Sequence, residues 1–199
     1  MNLLLSDMVF RTALPQTADN RYVFLPEQNV SNCIGCFGCW VKTPGKCVIR
    51  DDAVSVYPLI AQSRKLLYVS RIRYGSYDIP MKTMLERAIP VQQAFIRLHQ
   101  GETHHVQRNV AEKDAVILAY GETSEEERGL FRRLVERNAK NMLFKSWRIH
   151  FVPQNEVENE GYSDTDWTAI KQNLNNRTNY EVLIRNNTFS AVCLQPFCR

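Results

Sequence analysis

Four of the six cysteines fall within fifteen positions, in the segment CIGCFGCWVKTPGKC at residues 33–47. The pattern is C-x2-C-x2-C-x7-C: three thiols at successive intervals of three, then a fourth a short loop further on. Thiolates in that order wrap naturally round one iron–sulfur cubane such as a [4Fe-4S] cluster, each reaching a different iron, with a local fourth cysteine closing the site. Gly35 and Gly38 let the backbone turn tightly and offer amides to cluster sulfurs. Zinc more often takes two separated C-x2-C pairs that meet tetrahedrally. The same residues also suit a metal-free loop, either as a redox-active thiol pair or as small buried side chains with Phe37 and Trp40 packed as core. The candidate metal ligands are Cys33, Cys36, Cys39 and Cys47, and on spacing alone cluster, zinc and bare thiols all stay open. Cys193 and Cys198 have no such neighbours and are not assigned.

The bulk numbers narrow the setting. A chain of 199 residues with 44% hydrophobic and 23% charged residues has the make-up of one globular domain, 1–199, able to bury a real core. A formal charge of +4 suits an anionic ligand and falls short of a nucleic-acid-binding face, so no nucleic-acid partner is expected. No apolar run approaches the ~20 residues of a membrane span. The opening MNLLLSDMVF lacks a basic region ahead of its apolar stretch and does not read as a signal peptide. Without an export signal, clustered cysteines point to metal or thiol chemistry in the cytoplasm rather than to disulfides. There is no G-x-S-x-G elbow, no G-x-G-x-x-G and no phosphate-loop lysine motif, so hydrolase chemistry and a separate nicotinamide domain have no support. No side chain is assigned a catalytic role.

The elements that must hold the cysteine loop follow from periodicity. NLLLS (2–6), RYVFL (21–25, ended by Pro26), KLLYVS (65–70), DAVILAY (114–120) and WRIHFV (147–152) are short apolar runs expected as strands. Between them, Asp51-Asp52 opens a helix with Val56, Leu59 and Ile60 on one side, with Pro58 expected near its first turn or at a kink. A second helix is expected around residues 80–88, with Met81, Met84 and Leu85 facing inwards. Ser124 and Glu127 form a capping-box pair for a third, carrying Leu130, Phe131, Leu134 and Val135 inwards and Arg137 and Lys140 on a solvated face. A Ser163-capped helix with Trp167, Ile170 and Leu174 should follow, and residues 177–199 form an extension with no assigned place. Adjacent His104 and His105 cannot both serve one metal from a regular element, and a surface or subunit-interface pair is the expectation. Strands alternating with helices predict a parallel sheet covered on both faces. Ligands then belong at the carboxyl ends of the strands, in the loops after Leu5, Ser70 and Tyr120.

The segments CIGCFGCWVKTPGKCVIRDD and KLLYVSRIRYGSYDIPMKTMLER resemble the NAD(P)H-dependent FMN reductase branch of the flavodoxin-like superfamily, above all its members with the compact cysteine motif of iron–sulfur flavoproteins. The matching residues are Asp51 and Asp52, then Ser70, Tyr74 and Gly75, then Lys82 and Arg87, with Glu86 where the family has Asp. GETHHVQR at 101–108 resembles a Gly-Glu-x-His-His segment of some relatives. The resemblance is good over residues 33–108, weaker to about 150, and absent in the tail. It implies a three-layer α/β/α, doubly wound flavodoxin-like sheet and a homo-oligomer. It further implies a noncovalent FMN at the strand ends that takes electrons from NAD(P)H and passes them to a small-molecule acceptor. The implied flavin contacts are Ser70, Arg71, Ile72, Arg73, Tyr74, Gly75 and Ser76, with Gly121, Glu122 and Thr123 from the neighbouring loop.

Two departures stand out. The family cradles the FMN phosphate in a Gly-Ser-Pro-Arg…Asn-Thr loop between the first strand and first helix, where backbone N–H groups hold the dianion. This chain has SDMVFRTALPQTADN there, with no glycine and too few residues for that loop and a full helix, so a shortened first loop and helix are expected. The family's Pro and Tyr in the flavin loop are Arg71 and Arg73. Either those arginines, with Arg11, supply charge to the phosphate, or FMN binding is lost and the scaffold serves as an iron–sulfur or thiol-based electron-transfer or binding module.

Overall fold

The computed structural model describes residues 1–9, 18–159 and 184–185, with 158–159 and 184–185 as backbone. The expectations for Arg11, the shortened first helix, the Ser163-capped helix, Cys193 and Cys198 lie outside the described residues.

Five strands form the parallel core of one sheet: β1 (Asn2–Ser6), β2 (Asn20–Phe24), β3 (Lys65–Arg73), β7 (Lys113–Tyr120) and β8 (Phe144–Val152). They lie in the spatial order β2-β1-β3-β7-β8, every neighbouring pair parallel. Counting these strands alone, that is the 2-1-3-4-5 order of a doubly wound flavodoxin-like sheet, with its switch point between β1 and β3. At the β8 edge β9 (Ile184–Arg185) adds antiparallel pairing, the one described piece of the tail.

The apolar runs of β1, β3 and β7 form strands because both of their faces are buried, whereas edge strand β2 buries only Val23. Leu3, Leu5, Leu66, Tyr68, Ala115 and Ile117 belong to a core under the helices. Leu4, Leu67, Val69, Val116, Leu118 and Tyr120 alternate with them in a second core on the other face. Three helices cover the first face: α2 (Ala53–Gln62), α3 (Ile79–Glu86) and α4 (Glu125–Asn141). α2 buries Val56 and Ile60 as its periodicity predicts, α3 buries Met81 and Met84, and α4 buries Phe131, Val135 and Ala139. The capping box of Ser124 and Glu127 is formed. Pro58 lies within α2, beyond the first turn where it was expected. Its missing N–H removes one intrahelical bond, which packing of the α2 face on the sheet outweighs.

The charged end of α4 is a correction. Arg137 and Lys140 do not simply face solvent: their terminal nitrogens lie 2.9 and 2.8 Å from Glu102 Oε1. Glu102 belongs to a hairpin, β5 (Gln92–His99) and β6 (Glu102–Gln107), that the sequence reading did not anticipate. Five consecutive exposed residues on β5, Ala94, Phe95, Ile96, Arg97 and Leu98, hide its period-two pattern. On β6 successive side chains point to opposite faces. His104 is buried, with its ring nitrogens 2.9 Å from Asn141 Oδ1 and from Glu102 Oε2, so the surface half of the surface-or-interface expectation fails for His104. His105 instead stacks on Trp40, ring centres 4.7 Å apart.

One buried cation ties the frame together. Lys113 at the start of β7 donates to the carbonyls of Ala61, Ala111 and Met142, at the ends of α2 and α4. Burial pushes its ammonium down to about 8.

Candidate functional site

The cysteine loop and the carboxyl ends of the strands form two separate constructions. In the first, Cys33, Cys36, Cys39 and Cys47 all line one cavity of about 60 Å³ together with Phe37, Trp40, Ile49 and Ile89. All four are free thiols; Cys33 and Cys36 are exposed, Cys39 and Cys47 half-buried. Gly35 and Phe37 take positive φ, so the chain turns twice between Cys33 and Cys39. Gly38 serves close approach rather than turning, since a Cβ there would meet Val48 Cγ1 at 2.7 Å. The short helix α1 (Gly38–Val41) carries Cys39 and Trp40. Trp40 Nε1 donates to the Gln92 carbonyl at 3.0 Å, tying the loop to the hairpin.

The loop is closed by a buried ion pair. Arg87, at the end of α3, donates from Nη1 to Asp51 Oδ2 (2.6 Å) and from Nη2 to Asp51 Oδ1 (2.8 Å), a bidentate fork. The same guanidinium donates to the Ser31 carbonyl at 2.8 Å and the Ile49 carbonyl at 3.3 Å, on either side of the motif. Its Nη2 lies 3.4 Å from Cys47 Sγ. Asp51 and Asp52 also accept from the Ser31 and Asn29 amides, so the Asp-Asp pair anchors the loop as well as opening α2. Burial by itself would raise the Asp51 carboxyl, but Arg87 and the amides hold it below the ordinary carboxylate range. Burial pushes the Cys39 thiol up, and charge on Cys47, Cys33 and Cys36 pushes the same way. Among the described residues no group of three or more His, Cys, Asp or Glu side chains is placed to hold a metal ion.

In the second construction, the segment expected as a loop at residues 71–76 is mostly strand. β3 runs through Arg73, pairs with β7 as far as Arg71, then turns back into β4 (Ser76–Tyr77). Only Tyr74 and Gly75 form the turn, both at positive φ as a type I′ hairpin requires. The Tyr74 amide donates to Glu127 Oε1 at 3.0 Å, seating the turn on α4.

A groove of about 750 Å³ opens beside this hairpin. Of the expected flavin contacts, Arg71, Ile72, Arg73, Tyr74 and Glu122 line it, joined by Glu127, Gln154 and Asn155. Ile72 keeps its side chain in the core. Ser70, Gly75, Ser76, Gly121 and Thr123 do not line the groove. Gly75 packs against Leu130 and Glu127, and Thr123 Oγ1 accepts from Arg128 Nε.

Ser70 belongs to a network that sequence reasoning missed. Asp7, just past β1, accepts from Ser70 Oγ (2.8 Å) and the Arg71 amide (2.9 Å) at one oxygen, and from Tyr120 Oη (2.8 Å) at the other. A carboxylate thus sits at the β1–β3 switch point. Burial pushes the Asp7 carboxyl up, and its three hydrogen bonds offset only part of that rise. Asp7 carried no motif, and only the parallel pairing of β1, β3 and β7 brings its three donors together.

No protein-family model matches the chain. Over 68 residues it is 31% identical to a protein of Archaeoglobus fulgidus described as an iron–sulfur flavoprotein; the match takes in 34% of this chain and 30% of that protein. The chain thus spans under a third of the relative it matches. No helix of the described residues is long and apolar enough to cross a membrane.

Proposed function

We propose that this chain is a flavodoxin-like redox protein that holds an iron–sulfur cluster on Cys33, Cys36, Cys39 and Cys47 and FMN in the groove at the strand ends. In this reading it moves electrons from NAD(P)H to a small-molecule acceptor, as a homo-oligomer. The observation that carries the reading is the gathering of all four cysteines round one apolar cavity, closed by Arg87 with an N–H on Cys47. The partial match to an iron–sulfur flavoprotein supports the same reading. A cluster supplies a one-electron couple, and a flavin supplies exchange between hydride and single-electron transfer. The chain's own residues bind and orient. The four thiols anchor, Arg87 offsets their negative charge from a position fixed by Asp51, and Trp40 shields one side. Arg71, Arg73 and Tyr74 border the groove, and no side chain need act as acid or base.

One observation favours a second reading, a cluster- or thiol-bearing module without flavin. Asp7 puts negative charge at the switch point where this fold binds anions. The visible spectrum of anaerobically purified protein, before and after NADPH, separates the two. A flavin band that bleaches, above a broad iron–sulfur shoulder, is expected. A shoulder without flavin supports the cluster-bearing form of the second reading, and a colourless protein overturns the first reading and leaves only the thiol-bearing form of the second.

A further inference from the structure

Arg71 and Arg73 lie two residues apart on β3, so their side chains leave the same face of the strand. Both are exposed, both line the 750 Å³ groove, and among the described residues neither guanidinium has an ion-pair partner. The Arg71 side chain runs beside Gly121, where a Cβ would stand 3.6 Å from Arg71 Cγ. At φ +113 that position is one an L side chain rarely adopts.

Among the described residues the switch point offers an anion nothing comparable. Its donors, the Ser70 hydroxyl, the Arg71 amide and the Tyr120 hydroxyl, are already taken by the Asp7 carboxylate. A phosphate there would displace or face a like charge. Of the two acids on the groove, Glu127 is held by the Tyr74 and Ser124 amides, which leaves Glu122 as the acid nearest a ligand.

We infer that the groove takes a phosphate monoester whose phosphate sits on Arg71 and Arg73 at the β3–β4 hairpin, not at the β1–β3 switch point. Two guanidinium forks match the charge and the oxygen geometry of one phosphate dianion. The inference rests on the groove being the ligand site proposed above, and narrows it to a ligand held by its phosphate from the hairpin side.

The test is equilibrium binding to the full chain of FMN, of riboflavin (the same ring without phosphate), and of adenosine monophosphate and inorganic phosphate. Wild type is compared with Arg71→Ala/Arg73→Ala, Glu122→Gln and Asp7→Asn, each checked for native circular dichroism. Wild type should bind FMN about 10-fold or more tighter than riboflavin. The double arginine variant should lose that advantage, its FMN affinity falling to that of riboflavin, and Glu122→Gln should tighten FMN. Equal binding of the two flavins by wild type, or an FMN advantage that survives loss of both arginines, overturns the inference while leaving the flavin reading intact. An advantage that grows in Asp7→Asn and ignores the arginines puts the phosphate at the switch point and overturns it as well. If neither flavin binds but adenosine monophosphate or phosphate does so through the arginines, the flavin reading falls and the anion site stands. If nothing binds, both fall.

Discussion

Two arginine-bearing regions of this molecule sit on opposite sides of one physical divide. Arg87 is buried, and each of its terminal nitrogens has at least two partners: Asp51 and Ser31 for one, Asp51, Ile49 and Cys47 for the other. Arg71 and Arg73 are exposed and line a groove, with no described ion pair. The buried guanidinium is part of the architecture, and the cysteine cavity keeps its shape through it. The exposed pair has no ion-pair partner among the described residues, as the ligand site proposed above requires. Charge held in the interior organises the chain, whereas charge held at a rim is available to a ligand.

Substitutions sharpen that comparison in order of size. Arg87→Met leaves Asp51 as an uncompensated buried carboxylate, and urea unfolding should show a loss of roughly 3–5 kcal/mol. Restoring balance with Asp51→Asn in the same chain should recover part of it, since the two residues act as one unit. A loss within ~0.5 kcal/mol would break the claim that this pair closes the loop.

Lys113→Met comes next. It leaves three carbonyls without their donor, at a cost of about 1–3 kcal/mol at neutral pH. Burial holds the Lys113 ammonium down to about 8 against an ordinary 10.5, so between those values the unfolded chain binds more protons. Stability of the wild type relative to the variant should therefore rise from pH 8 to 10.5, measured as paired unfolding curves. A flat difference would mean the lysine titrates normally.

Asp7→Asn should act in the opposite sense. Burial raises the Asp7 carboxyl in the folded state, so its ionisation costs stability, and that cost grows as pH climbs through the raised value. The uncharged variant is expected to be more stable than wild type at pH 7, with the gain fading as pH falls from the raised value to 3.8, the ordinary value of the group, below which it is gone. Thermal unfolding at the two pH values reads this directly, and a variant less stable at pH 7 would contradict it.

Arg71→Ala closes the series. With no described ion pair on its guanidinium, the substitution should leave stability within ~0.5 kcal/mol of wild type. A large loss would show that Arg71 is architectural after all and would erase the contrast with Arg87.

Much of the frame was legible before any coordinates. The parallel strands follow from short apolar runs, buried on both faces in β1, β3 and β7, and the Ser124–Glu127 capping box from a local pattern complete within four residues. The β5–β6 hairpin was not legible, because its exposed Phe95, Ile96 and Leu98 interrupt the alternation that marks a strand. The charges at the end of α4 looked solvated for a related reason: Glu102, their partner, is 35 residues before Arg137 and belongs to that unseen hairpin.

By itself the sequence determined the spacing of Cys33, Cys36, Cys39 and Cys47, the paired carboxylates that follow them, and the order of strands and helices. Those are local properties, set by neighbours within a turn or a strand. Only the tertiary structure decided that Arg87 reaches back 36 residues to Asp51, or that Asp7 meets Ser70 and Tyr120 across separations of 63 and 113. Such contacts depend on which strands pair and in what register, and no local pattern of residues encodes that.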